Sequence, residues 1–214
     1  MLQKIYSVFK YLTKEKKVDK LKEFFSDIPV FETRRLILRR IEKSDCYDMY
    51  EYSSDVEVTK FLTWKPHLHV NETREYIDDI IKRYKNGKFY DWGLVYKPDK
   101  KFIGTCGFTT VNLNQNICEV GYVLSKKYWN KGLITEALEH IIDLAFEYFG
   151  FDKVEARFFE GNNASKKVML KSGMTFEKTD KNQWHIKGEY KTVHTYSITK
   201  EVYEIAGQAR NDGR

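Results

Sequence analysis

One stretch constrains this chain more than any other. Residues 117–149 read as a strand, a polar turn and then the strongest helix of the sequence. In the first part, Cys118, Val120, Tyr122 and Leu124 alternate with Glu119, Gly121 and Val123, the period of a pleated strand. The turn is Ser125-Lys-Lys-Tyr-Trp-Asn-Lys-Gly132. Beyond it, Ile134, Ala137, Leu138, Ile141, Ile142, Ala145 and Phe149 form one apolar stripe, while Glu136, Glu139, His140, Asp143 and Glu147 face away. His140 is therefore read as a surface residue. A strand feeding a helix through a short turn aims unpaired backbone N–H groups and the positive end of a helix dipole at one point. Such a point suits phosphate or diphosphate, with Lys131 as a flexible cation and Gly132 permitting close approach of a ligand.

Neither familiar nucleotide loop is present. No G-x-x-x-x-G-K-[ST] occurs, and no G-x-G-x-x-G follows a strand. No His, Cys, Asp and Glu spacing resembles a metal site. The 15 Tyr are scattered across strands and helices rather than arrayed for base stacking. About half of the net charge of +6 comes from the first thirty residues, where seven Lys face four acids. The surplus left over is compatible with an anionic ligand and too weak to announce nucleic acid. No apolar run approaches the roughly 18 residues that cross a bilayer. The three cysteines, Cys46, Cys106 and Cys118, form no C-x-x-C pair; they read as small buried hydrophobes in a reducing, cytoplasmic setting.

Along the chain, residues 1–30 read as a helical extension of two short helices. Leu2, Ile5, Phe9 and Leu12 make the first stripe, Val18, Leu21, Phe25 and Ile28 the second, and Pro29 ends the segment. This extension is expected to pack on the domain or on a second copy, with a dimer contact favoured over a cover for the cleft; a Lys-rich membrane-surface helix is the alternative. Residues 31–200 alternate between strand and helix. Strands are expected near 35–39, 89–97, 102–110, 117–124, 154–159, 174–178 and 191–198, and helices near 45–52, 71–84, 132–149 and 162–172. Residues 201–214 are expected to form a disordered tail, since nothing from Gly207 onward can contribute to a core.

The chain resembles the GNAT-superfamily acyltransferases, most closely the RimJ/RimL-type N-acetyltransferases. The resemblance covers about residues 31–200. It opens with Glu32-Thr-Arg-Arg-Leu-Ile-Leu-Arg39 and runs through Trp92, Phe102-Ile-Gly-Thr105 and Glu119-Val-Gly-Tyr122. It continues in Tyr128-Trp-Asn-Lys-Gly-Leu-Ile-Thr-Glu-Ala137, then in Asn162-Asn-Ala-Ser165 and Lys171-Ser-Gly-Met174. It implies an α+β fold, a mixed, twisted sheet flanked by helices, with the N-terminal helices added. It also implies acetyl-CoA as cosubstrate, an amine as acceptor and no metal. The family's diphosphate loop, Q/R-x-x-G-x-G/A, falls here on Trp129, Gly132 and Ile134. Ile134 departs from the small residue of the pattern, and its side chain either crowds the diphosphate or enters the core.

By the same resemblance, the pantetheine arm lies in a gap between strands 119–124 and 154–159. Backbone groups of Tyr122, Val123 and Leu124 then face it, and amides of Asn130, Lys131, Gly132, Leu133, Ile134 and Thr135 meet the diphosphate. Asn162 meets the pantetheine from the other side. Glu119 is the expected proton acceptor, acting through water; an outward-facing strand carboxylate is the other reading. Many GNAT enzymes place a Tyr acid on the helix after the Asn, where this chain has Val168, Met169 and Leu170. Ser165 is the hydroxyl expected near the sulfur, or else a first-turn hydroxyl bonded to backbone. Phe61, Trp64 and Trp184 are expected to line the amine site, while His67 and His69 border it in a loop. The implied activity is acetyl transfer from the thioester to a primary amine, of a protein N-terminus or a small molecule. The alternatives are a catalytically inactive CoA-binding regulatory or assembly protein and, further off, a basic nucleic-acid-binding module.

Overall fold

Two local signals set the centre of the molecule. Turns at 97–100 and 113–116 fold three consecutive apolar runs into an antiparallel meander, with Lys100 and Asn116 in the left-handed region. Its strands are β3 (Asp91–Tyr96), β4 (Lys101–Asn112) and β5 (Ile117–Leu124). The chain is described by a computed structural model over residues 12–88 and 90–212. Before the meander come β1 (Phe31–Glu32) and β2 (Leu36–Arg39), and after it β6 (Lys153–Phe159), β7 (Thr175–Ile186) and β8 (Glu189–Thr199). They form one eight-stranded sheet in the order β1-β2-β3-β4-β5-β6-β8-β7. Every neighbouring pair is antiparallel except β5 and β6. A parallel pair needs a crossover, and α5 (Leu133–Asp143), prolonged by a π turn over Leu144–Tyr148, supplies it. The expected α+β class with a mixed sheet is what the chain forms.

The helices divide between the two faces. On one face, Trp92, Cys106 and Tyr122 are in register across three strands, and Phe108 pairs with Val120 two residues along. This face meets α5 and α6 (Asn163–Lys171): the Phe31 ring touches both Trp92 and His140 of α5, and Tyr122 reaches Ser165 of α6. The period of two puts Asp91, Gly107, Gly121 and Glu119 on the opposite face. That face meets α2 (Cys46–Ser53), α3 (Val56–Thr59) and α4 (Val70–Lys85); Phe102 stacks on Tyr52 of α2, and its N–H donates to Asp48. The seven apolar residues of the α5 stripe are all buried, Ile134 among them at 6% exposure.

Two expectations need correction, and a third is decided between its alternatives, since the described N-terminal helix packs on the domain itself. The first of the two N-terminal helices lies outside the described residues, but the second, α1 (Lys14–Ser26), belongs to the domain's own core. Phe25 is fully buried against Trp92, Phe108 and Phe149. The Lys22 backbone passes so close to Gly87 that a Cβ there would lie 2.5 Å from the Lys22 carbonyl oxygen. The expected C-terminal tail is instead α7 (Lys200–Asp212), a helix that runs through Gly207. Tyr203 anchors it, with its ring on Phe146 and its hydroxyl donating to Asp143 at 2.7 Å. Good helix formers then carry the helix past a glycine that costs only about 1 kcal/mol. Finally, His140 is half-buried on Phe31 rather than on the surface. Its Nε2 has no hydrogen-bond partner among the described residues, and burial lowers its pKa.

Candidate functional site

The parallel pair does not run its full length. β5 and β6 are in register from Ile117–Lys153 to Val120–Ala156 and then part, although both strands continue. The opening therefore lies beside Gly121–Leu124 on one side and Arg157–Phe159 on the other. Hydrogen bonds alternate along an antiparallel ladder, and Ser125 N–H donates to Ile103 C=O. That phase commits the backbone groups of Val123 to β4 and turns those of Tyr122 and Leu124 toward the opening. The Leu124 carbonyl accepts from Trp129 Nε1 at 2.8 Å, which folds the following loop back over the strand end.

That loop delivers a bare helix start. Asn130 and Gly132 both have positive φ, 59° and 72°, and no side chain among the described residues caps α5. Gly132 is suited to its place because left-handed backbone costs other residues about 1–2 kcal/mol. The first-turn amides of α5 then have no intrahelical acceptor. A buttress absent from the expected site residues fixes the loop: Arg35 donates to Glu136 through its backbone N–H and Nε, and to the Lys131 carbonyl at 2.7 Å. Thr33 donates to the same Glu136 carboxylate. The Thr33-Arg34-Arg35 run was visible in the sequence, but only the fold shows what it holds.

A cleft of about 840 Å³ passes through the opening and joins the two faces of the sheet. It is lined by Glu119, Tyr122, Val123, Leu124, Trp129, Asn130, Gly132, Leu133, Ile134, Thr135, Asn162 and Ser165, and by Phe61, Trp64 and Trp184. Lys131 is the expected site residue that does not line it: its ammonium rests 5.0 Å from the centre of the Tyr128 ring, and its contribution is the carbonyl held by Arg35. A shallower recess of about 340 Å³ adjoins the α5 start, lined by Arg34, Arg35, Gly132, Thr135 and Lys171 among others.

On the α6 side of the opening stands a hydroxyl pair. Tyr122 Oη and Ser165 Oγ are 2.8 Å apart, and Tyr122 also donates to the Ser165 carbonyl at 3.2 Å. Burial drives the Tyr122 pKa upward, so the phenol stays protonated. Asn162 spends its side-chain oxygen on the Ser165 N–H as the cap of α6. The phenol that helix α6 lacks is thus supplied from β5.

On the other face stands Glu119, facing into the cleft. Arg157 pairs with it at 3.1 Å and lies 5.4 Å from the Trp184 ring centre. Burial raises the Glu119 pKa, Arg157 opposes the rise, and Glu155 adds to it. Arg157 was not among the expected residues, although the register of Glu119 with Glu155 places it two residues along the same face. Nearby, a bulge in β4 sets Thr109 over Gly121, where a Cβ would lie 2.5 Å from the Thr109 methyl. His67 also lines the cleft, with Nδ1 shared between Thr73 at 2.7 Å and Ser53 at 3.1 Å; burial lowers its pKa. His69 precedes α4 and lies outside the lining. Trp184, expected at the amine site, lies near the end of the β7–β8 hairpin, which is closed by Lys187 and Gly188 at positive φ. Its Lys187 donates to the Thr59 carbonyl at 2.7 Å, tying the hairpin to the loop with Phe61 and Trp64.

The arrangement offers an anion cradle, a gap for a narrow arm and, on the far face, a carboxylate-bearing chamber. Among the described residues, no helix is long and apolar enough to cross a membrane, and no group of three His, Cys, Asp or Glu could hold a metal.

Comparison with known proteins agrees with this geometry. Residues 35–175 match the family described as acetyltransferase (GNAT) domain. The N-acetyltransferase p20 of Bacillus licheniformis, itself uncharacterized, is 30% identical over 173 residues, covering 80% of this chain and 96% of that protein. The [ribosomal protein uS5]-alanine N-acetyltransferase of Escherichia coli is 25% identical, over 74% of this chain and 84% of its own. Among solved structures, a GNAT-family acetyltransferase from Bacillus anthracis superposes with a TM-score of 0.72 at 24% identity, covering 81% of this chain and 99% of that one. RimL, a ribosomal L7/L12 α-N-protein acetyltransferase in complex with coenzyme A, does so with a TM-score of 0.68 at 18% identity, covering 80% and 98%.

Proposed function

The chain belongs to the GNAT acetyltransferase family, and from that premise we propose that it moves the acetyl group of acetyl-CoA directly to a primary amine. The observation that carries this reading is the parting of β5 from β6 beside an uncapped helix N-terminus. The residues present fit the cosubstrate. Amides of residues 130–135 would hold the diphosphate, and the backbone groups of Tyr122 and Leu124 would hold the pantetheine. Acetyl-CoA supplies an activated acyl carbon and a thiol leaving group; the rest falls to the chain.

An amine is mostly protonated at neutral pH, and transfer needs its lone pair. Glu119 accepts that proton, directly or through water, and burial lifts its pKa toward the range where a base is effective. Arg157 keeps the carboxylate oriented and ionised. As the nitrogen bonds to the acyl carbon and the carbon–sulfur bond breaks, Ser165 donates a hydrogen bond to the departing sulfur. Tyr122 holds the Ser165 hydroxyl through the hydrogen bond between them, and the proton that the nitrogen sheds on becoming an amide ends on the thiol of coenzyme A. A serine hydroxyl alone is a poor acid, so the pair matters more than either member. Two features of the sequence leave room for a non-catalytic CoA-binding protein: Ile134 in the diphosphate loop and the absence of a Tyr on the helix after Asn162. Ile134 is in the core, and Tyr122 brings a phenol to Ser165.

The test is thiol release from acetyl-CoA by the purified protein, with and without amines, together with the mass of the amine product. The expected result is release that requires an amine and matches one acetyl gained by it. Absence of transfer to any of a panel of alkylamines and peptides with free N-termini would overturn the reading.

A further inference from the structure

Of the carboxylates lining the cleft, two stand on the sheet itself, and they are unequally provided for. Glu119 has Arg157. Asp91, which opens β3 on the same face, has no ion pair or side-chain hydrogen bond among the described residues. Its Oδ1 is sealed from solvent and unpartnered, yet the residue lines the cleft. The fold reserves room for it: a Cβ on Gly107, the partner of Asp91 in β4, would lie 2.7 Å from Oδ1. Burial alone pushes the Asp91 carboxyl up to about 7, with no cation opposing the rise.

The surroundings supply the other half of a cation site. The cleft wall on this side carries Met49, Tyr52, Trp64, His67 and Tyr76, and the Tyr52 and Tyr76 hydroxyls are close enough to Asp91 for their ionisation to be opposed by its charge. A carboxylate among aromatic faces is the chemistry that receives an alkylammonium group. An isolated buried carboxylate otherwise costs several kcal/mol, which a bound cation offsets.

Position decides which ammonium. Asp91 is in register with Gly107, and Gly107 with Gly121, so Asp91 is two strands away from β5. At about 4.8 Å per strand that is roughly 10 Å, and the opening to β6 lies on the far side of β5. Asp91 is therefore out of reach of a nitrogen that attacks at the opening. Resting on the acetyltransferase reading of the cleft, we infer that Asp91 anchors a second, protonated nitrogen of the acceptor, whose class is accordingly a small aliphatic diamine or polyamine.

The experiment has two arms, so that this inference and the transfer reading fail separately. In the first, calorimetry measures putrescine and butylamine binding to the full chain and to Asp91→Asn, without acetyl-CoA. The expected result is putrescine binding roughly ten-fold or more tighter than butylamine, the worth of one charge-assisted contact, with that ratio falling toward one in the variant. Equal binding of the two amines by the wild-type protein, or a ratio untouched in Asp91→Asn, would overturn the anchor. In the second arm, kcat/KM with acetyl-CoA is compared for the same amines. The anchor predicts that Asp91→Asn acts mainly on KM for the diamine, while Glu119→Gln lowers kcat for both amines and keeps their ratio. A kcat loss shared by both amines in Asp91→Asn would reassign Asp91 to proton transfer. Absence of turnover in the wild-type protein would sink the transfer reading and leave the first arm to decide on Asp91.

Discussion

The two ends of the cleft are made of different materials. At the α5 end the recognition groups are backbone: first-turn amides, two left-handed residues and the strand edges that β6 leaves unpaired. At the α2–α4 end they are side chains: Glu119 with Arg157, Asp91 without a partner among the described residues, and a wall of Tyr, Trp and His. Backbone geometry is insensitive to most substitutions and fits a ligand shared by a whole family. Side-chain chemistry can be exchanged residue by residue and fits a ligand particular to one member. The contrast also extends to stability, since the amide end is braced by Arg35 and Glu136 whereas the carboxylate end retains an unpaired acid.

The largest effect should come from Glu119→Gln. Loss of a general base is worth roughly a hundred-fold or more in turnover, and acetyl-CoA affinity, set at the other end, should stay unchanged by calorimetry. Wild-type turnover should also climb with pH as Glu119 ionises from above its ordinary 4.5, a limb that the variant loses. If Glu119→Gln weakens acetyl-CoA binding instead, the two ends are not independent.

Next comes a gain. Folding raises the Asp91 carboxyl from 3.8 to about 7, so its contribution to stability is complete below the unfolded value and drains away as pH rises through the folded one. Asp91→Asn removes that drain. A shift of this size corresponds to at most roughly 4 kcal/mol, and water in the cleft reduces it to about 2 kcal/mol. Urea denaturation of the ligand-free protein should therefore show the variant more stable than wild type at pH 8 and similar to it near pH 4. A variant less stable at pH 8 would mean that Asp91 has a partner in the fold.

Ser165→Ala and Tyr122→Phe should each reduce turnover by about ten-fold, and the double variant by little more than either, since one hydrogen bond joins them. Additive losses would separate the hydroxyls into independent roles. The smallest effect should belong to Gly132→Ala. The nearest atom to the added Cβ is Arg35 Nη2 at 3.6 Å, so the cost is the left-handed backbone alone, about 1 kcal/mol. It should be seen as weaker acetyl-CoA binding with unchanged amine preference.

How much of this was readable beforehand follows the same division. Backbone devices leave periodic traces: the α5 stripe, Gly132 after a polar turn and the alternation of residues 118–124 located the cradle and the strand beside it. The acceptor chamber leaves none, because its residues come from seven separate elements that only the sheet register brings together. Asp91 and Arg157 are single charges in strands, and Arg157 becomes meaningful once Glu119 is paired with Glu155. Tyr122 was expected for its backbone alone; its hydroxyl meets Ser165, 43 residues along the chain, and only the fold brings the two together. The C-terminal helix was missed because its anchor, Tyr203 on Phe146, is likewise tertiary.

In the proposed reading, β5 and β6 part to receive a pantetheine arm. Titration of acetyl-CoA into the purified protein, beside adenosine 3′,5′-bisphosphate, tests it most directly. The whole cosubstrate should bind roughly ten-fold tighter, or more, than the nucleotide fragment, the surplus coming from strand-edge hydrogen bonds. Equal affinities for the two, in a folded protein, would contradict it.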